Sequence, residues 1–287
     1  MKQFVHAILS AAALATLAGC ATNQEETLFP FEDPLRDEIA KDVDERIQFY
    51  KQHMIDPTES NYSSEFAKEF FTNTPAVSQQ KRFRTLSYTM ESLDGKRKVR
   101  YTFALGRRMK LVVTDNNNKV IYAQILNGDK AYNSTDGVLY KTITLPEHIN
   151  HLRLIYDMAM AFARNAKDVT LTEIGMAGAK EPVTFKIDNQ RCWKFDVNLG
   201  DDNYDALVSV FVTADEKRHQ ISNIIKPGKG LEKNPFSIAC SRFFVKDGVV
   251  FPGLITTNSK DDDQMTIKDL VVNGSVSDLE FEPDTLN

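Results

Sequence analysis

Cysteine is scarce in this chain, with three residues in 287, at positions 20, 192 and 240. That is too few for a disulfide framework. Neither Cys192 nor Cys240 has a nearby histidine or a C-x-x-C spacing, so thiol catalysis and structural zinc do not organise the chain. An excess of positive charge is lacking too. With 35 basic against 40 acidic residues and no long Lys/Arg stripe, there is no electrostatic footprint for nucleic acid. No apolar run reaches the ~20 residues of a membrane-spanning helix. No Gly-x-Ser-x-Gly, Ser-x-x-Lys or Cys/His pairing combines into a catalytic set, and no enzyme, cofactor or metal is expected. The composition does supply 42% hydrophobic and 10% aromatic residues. This is enough for a sizeable core in one large domain, or one domain with an appendage.

The N-terminus carries the most specific signal. Lys2 gives a thin positive region, and residues 5–17 form an apolar run of about 13 residues, too short to span a bilayer. Leu17-Ala18-Gly19-Cys20 closes it, and these four residues resemble the lipobox of bacterial lipoproteins. The resemblance implies that residues 1–19 are a signal peptide and that Cys20 becomes the first mature residue, bearing a diacylglycerol and usually a third acyl chain. At about 0.8 kcal/mol per buried methylene, two or three chains hold a protein on a bilayer almost permanently. Ala21 stands where an aspartate retains many such proteins at the inner membrane. In a Gram-negative cell this favours the outer membrane, facing the periplasm. Loss of Lys2 takes the formal charge from −5 to −6 (−5 − 1). An oxidising address leaves two readings of the remaining cysteines. A Cys192–Cys240 disulfide would close a loop of 48 residues, worth about 4 kcal/mol in the chain-entropy model; two separately buried thiols fit as well.

The mature chain divides near residue 80. Residues 20–32 read as a lipidated tether and residues 33–80 as a helical extension. Leu35, Ile39, Val43, Ile47 and Tyr50 keep helical spacing up to Asp56-Pro57, and a second short helix over residues 63–71 sets Phe66, Phe70 and Phe71 on one face. Those apolar faces are predicted to dock on the main domain, residues 81–287. There the period changes to two. Strand-like runs continue to Val272, separated by turn signals such as Asp94-Gly95, Asn116-Asn117-Asn118 and Asp136-Gly137, and include single strands over residues 237–245 and 249–258. So many strands on short turns imply an antiparallel meander that must curl or close to protect its edges.

One helix interrupts the strands. Pro146 suits its first turn. Residues 152–162 (Leu-Arg-Leu-Ile-Tyr-Asp-Met-Ala-Met-Ala-Phe) are apolar around most of the circumference, so this helix should be buried on nearly all sides. Ile155, Met158, Ala159 and Phe162 are the candidate lining of an apolar concavity. They either contact a bound acyl chain or complete a dry core.

The C-terminal run Met265-Thr266-Ile267-Lys268-Asp269-Leu270-Val271-Val272-Asn273 is followed by Val276-Ser277-Asp278-Leu279-Glu280-Phe281-Glu282-Pro283, a D-x-x-F-x-P finish. Earlier, Lys119-Val120-Ile121-Tyr122-Ala123 leads to Gly128-Asp129-Lys130-Ala131-Tyr132. With the strand-rich body, these stretches resemble the LolA/LolB family of periplasmic lipoprotein carriers. The resemblance covers about residues 81–287. It implies a mainly β fold with a few helices, a strongly curved antiparallel sheet or half-open barrel with a helix across its concave face, and an apolar ligand. The lipobox makes the chain receptor-like rather than carrier-like, and no functional residue is carried over.

The remaining constellations have plain readings. His148 and His151, three apart beside Glu147, lack a third zinc ligand and fit a partly exposed helix start. Asp261-Asp262-Asp263 lacks the glycine and spacing of a calcium loop and reads as a solvated turn. Gly228 and Gly230 lack the strand-loop-helix setting of a phosphate cradle, so residues 226–233 read as a mobile basic loop. The expectation is therefore a lipoprotein anchored in the membrane through Cys20 that binds a lipid, acyl chain or other hydrophobic ligand. The alternative is a docking lipoprotein for an envelope protein partner.

Overall fold

The computed structural model describes residues 64–171, 185–187, 190–201, 204–213, 220–226, 236–257 and 264–283. The lipobox, the tether and the helix expected before Asp56-Pro57 lie outside them, as do Gly228, Gly230 and the Asp261-Asp262-Asp263 turn.

Alternation of core and surface residues, clearest in the first and third strands, builds a first meander: β1 (Thr85–Ser92), β2 (Arg97–Ala104), β3 (Arg108–Asp115), β4 (Val120–Asn127), β5 (Lys130–Ser134) and β6 (Lys141–Ile143). A helical arm follows. Then come β7 (Ala166–Leu171), β8 (Phe185–Ile187), β9 (Gln190–Asp201), β10 (Tyr204–Thr213), β11 (Ile221–Lys226) and β12 (Phe236–Ser241). β13 (Phe244–Lys246), β14 (Val249–Phe251), β15 (Leu254–Thr257) and β16 (Gln264–Val272) end the series. The main path is β6-β5-β4-β3-β2-β1-β16-β15-β12-β11-β10-β9-β7, with every pair antiparallel. β1 pairs with β16 near its middle, and β6 and β7 end it unjoined, so the sheet is open. It is also strongly curved. Arg107, in the β2–β3 turn, ion-pairs with Asp201 at the end of β9. The nearest strands of those two hairpins, β2 and β10, stand six positions apart, about 29 Å on a flat sheet. The expected half-open barrel is the architecture observed.

One face of every long strand enters a single core. Tyr88, Tyr101 and Phe103 stack along β1 and β2 with ring centroids 5.3 and 5.9 Å apart. The helices cover the same face. α1 (Ser64–Asn73) buries Phe66, Phe70 and Phe71, with Phe70 edge-on to Trp193 at 4.8 Å and to Phe195 at 5.3 Å. α2 (Pro75–Ser78) and a 3-10 turn (Gln79–Arg82) lead into β1. The opposite face has a small core of its own around Phe281, which is fully buried against Ala104, Ala123, Ile125 and Tyr140. Arg108 stacks over the Phe281 ring at 5.5 Å and ion-pairs with Asp278, while Lys110 reaches Glu280 at 3.6 Å. The D-x-x-F-x-P finish is therefore a strap that pins the chain end across the back of β2 to β4.

One expectation is corrected. The strands read over residues 237–245 and 249–258 each break in two. The backbone turns at Arg242 (φ 54°), and Gly253 packs so tightly that a Cβ would stand 2.3 Å from the Arg242 carbonyl oxygen. β13 and β14 therefore leave the main sheet as a separate ribbon. Cys192 and Cys240, for which the sequence leaves both readings open, are each buried. β10 and β11 lie between their strands. Cys240 belongs to the helix-covered core, whereas Cys192 falls out of step with Phe195, Val197 and Leu199 of that core and so faces the other side. Its Sγ lies 3.4 Å from Ser222 Oγ.

Candidate functional site

The site is organised by the arm that joins the two sheet ends. α3 (Pro146–Tyr156), a π turn (Asp157–Ala161) and α4 (Phe162–Asn165) run from β6 to β7. Pro146 opens α3 as expected. The near absence of polar residues after Leu152 puts every residue from 152 to 162 in the interior. Ile155, Met158, Ala159 and Phe162 are all at 0% exposure in one core with the sheet. Phe162 meets Phe71 at 5.7 Å, and Tyr156 meets Phe103 at 6.5 Å. The arm thus fills the concavity that the sheet alone would leave open.

The π turn was not legible beforehand, and its cause is a side chain. In a regular helix the Phe162 amide would donate to the Met158 carbonyl. Here the backbone leaves helical geometry at Ala161 (φ −143°, ψ 16°), and the Gln80 carboxamide sits in the gap. Phe162 N donates to Gln80 Oε1 at 2.7 Å, and Gln80 Nε2 donates to Met158 O at 3.0 Å. An inserted side chain is one of the recognised causes of a helix break. Gln79 repeats the device on β14: its Nε2 donates to Val250 O and its Oε1 accepts from Val250 N, both at 3.1 Å. Two consecutive glutamines thus hold the arm and the outlying ribbon to the start of the sheet.

The break places Asp157 in the interior at 0% exposure. Asn165 Nδ2 donates to its Oδ1 at 2.7 Å, while Oδ2 has no hydrogen-bond partner. Burial pushes the carboxyl up to about 7, against the opposing pull of Arg107 and Asn165 and with a further push from Asp201. Charged residues from three turns converge here. Besides the Arg107–Asp201 pair, Arg153 of α3 donates to Asp129 of the β4–β5 turn at 2.7 Å. Lys167 Nζ donates to the Asp201 carbonyl at 2.5 Å. Tyr204, at the start of β10, is buried within the field of Asp157, Arg107, Arg153 and Asp201; burial, then Asp157, raise its pKa well above the usual value. One end of the half-barrel is therefore polar, with Asp157 and Tyr204 buried and Asp129 and Asp201 reaching water, and the apolar stretch of the arm lies beside it.

The other expected positions do not converge on this end. His148 is exposed and His151 half-buried, and no group of three metal-ligating side chains occurs among the described residues.

No protein-family model matches the chain, and no curated protein does either. Solved structures do. A LolA superfamily protein from Nitrosomonas europaea is similar at 12% identity and TM-score 0.44, over 70% of this chain and 89% of that one. A DUF1329 family protein from Desulfovibrio piger is similar at 11% identity and TM-score 0.46, over 71% and 92%. An outer membrane lipoprotein-sorting protein domain from Vibrio parahaemolyticus is similar at 9% identity and TM-score 0.41, over 76% and 97%. The similarity is one of fold.

Proposed function

We propose that this chain is a lipoprotein of the bacterial envelope that holds a lipid or acyl chain in the concavity beneath its helical arm. One observation carries the reading: the arm that fills the concavity is buried from residue 152 to 162 and apolar there but for Arg153, Tyr156 and Asp157, and at its break the Gln80 carboxamide bonds its backbone at Met158 and Phe162. An element held this way can be displaced by an apolar guest that buries the same surface, at about 25 cal/mol per Å². Ile155, Met158, Ala159 and Phe162 are the lining, and no catalytic group is required. The lipobox sequence supports anchoring through Cys20.

The test is native mass spectrometry and solvent extraction of the mature chain, with Cys20→Ser, exported behind an ordinary cleavable secretory signal and purified without detergent. A reproducible co-purifying lipid supports carriage, and Met158→Asp should abolish it. A clean apo mass, unchanged after incubation with envelope lipids, refutes it. The same protein tests the anchor. It should appear in the soluble periplasmic fraction, whereas the native sequence stays with membranes through a carbonate wash.

A second reading, a docking lipoprotein, draws on the edge of the sheet. Val138, Leu139 and Leu145 flank β6 at 63, 44 and 50% exposure, an apolar fringe beside an unpaired strand edge of the kind that recruits partners.

A further inference from the structure

Three polar atoms at the buried end of the arm have no hydrogen-bond partner: Asp157 Oδ2, Arg153 Nε and Tyr204 Oη. Their residues are at 0, 7 and 4% exposure. A buried polar atom left unpaired is costly, and each such atom in a folded protein calls for an explanation. Here they are not scattered. Asp157 and Arg153 lie one helical turn apart on the arm, α3 packs against β10, and Tyr204 at the start of β10 feels the charge of both. Asp157 also directly precedes Met158 of the apolar lining.

Their chemistry is complementary to one kind of group. Asp157 Oδ2 accepts, Arg153 Nε donates, and the Tyr204 hydroxyl does either. The local charge offers an anion no surplus of cations, because Arg107, Arg153 and Lys167 are balanced by Asp201, Asp129 and Asp157. From this geometry we infer that Asp157, Arg153 and Tyr204 form the head-group subsite of the proposed cavity, taking an uncharged amphiphile head that both donates and accepts a hydrogen bond, such as an acyl amide. The N–H of the head would donate to Asp157, and its carbonyl would accept from Arg153 and Tyr204. The apolar tail would then run along Met158 and Phe162. This inference rests on the proposed function, because it needs the tail to bind.

Three twelve-carbon probes separate the two claims: dodecanamide, methyl dodecanoate, which cannot donate, and dodecanoate, which is anionic. Affinities are read at pH 8 by displacement of an environment-sensitive fluorescent fatty probe from the mature chain carrying Cys20→Ser. Dodecanamide should bind about tenfold more tightly than the ester, the gain from one charge-assisted hydrogen bond, and dodecanoate should be the weakest. Asp157→Ala should erase the preference for amide over ester. Tyr204→Phe keeps the ring in the core and should weaken amide and ester several-fold together. Equal affinity for all three probes, or a preference for dodecanoate, overturns the subsite while leaving the cavity standing. Binding of none of them overturns the cavity reading as well.

Discussion

Gln80→Leu should lower the stability of the folded chain by about 2–5 kcal/mol, the largest effect expected of any single polar substitution here. The argument is one of partners. The Gln80 side chain is the acceptor for the Phe162 amide and a donor to the Met158 carbonyl, and both bonds are buried. Leucine fills similar space and offers neither. Each buried backbone group left unsatisfied costs about 1–3 kcal/mol. Urea unfolding of the two proteins checks the magnitude, and hydrogen exchange checks the place, because the Phe162 amide should lose its protection before the strand amides do. A loss below about 0.5 kcal/mol, with Phe162 still protected, would mean that the arm re-forms a regular turn and joins Phe162 to Met158 directly. The glutamine would then be a passenger rather than a fastener.

The second large effect depends on pH. Burial raises the Asp157 carboxyl from 3.8 in the unfolded chain to about 7 in the folded one. The folded state therefore binds the proton more tightly. Its contribution to stability is fully present below about pH 4, falls as pH rises through the window from 4 to 7, and is gone above it. The gap between those two values sets an upper bound of about 4 kcal/mol on that contribution. Asp157→Asn keeps the shape and the hydrogen bond from Asn165 but has no proton to lose. The expected result is a wild-type stability curve that declines between pH 4 and 8 relative to that of the variant, so that the variant is the more stable protein at pH 8. Subtracting the two curves removes the contribution of every other titrating group. Parallel curves would show that Asp157 is ionised at ordinary carboxylate pH and well solvated.

Much of this architecture can be read from the period of the sequence. Alternation from Thr85 onward gives the strands because each has one dry face, and the mostly apolar run after Leu152, interrupted only by Arg153, Tyr156 and Asp157, gives the buried arm because no continuous polar side is available to face water. Phe281 was visible as the aromatic of a terminal motif, though not the face of the sheet on which it packs. The candidate head-group end was not visible. Arg107 and Asp201 meet across 94 residues, and Gln80 reaches Phe162 across 82, distances over which no spacing rule operates. The π turn escaped for a related reason: Asp-Met-Ala-Met-Ala is compatible with a regular helix, and only the arrival of a distant carboxamide breaks it. Likewise the placement of the two cysteines depended on which face of the sheet each strand presents, and the Ile221–Ser222 irregularity opposite Val212 changes that phase without a sequence marker.

The pairing of β1 with β16 governs when this molecule can come into being. Leu86 opposes Val272, so the seam between the two halves of the sheet closes a loop of roughly 180 residues, an entropic cost of about 5 kcal/mol that local hairpins never face. The seam lies at the centre of the sheet rather than at an edge, and its second strand is made after all the other described strands. Until the residues around Met265 have emerged, the early hairpins have nothing to lean on, and the arm has no complete wall to fill. Topologies of this sort assemble slowly. If the chain is exported as proposed, slowness is useful, because the translocating polypeptide stays loose until β16 arrives.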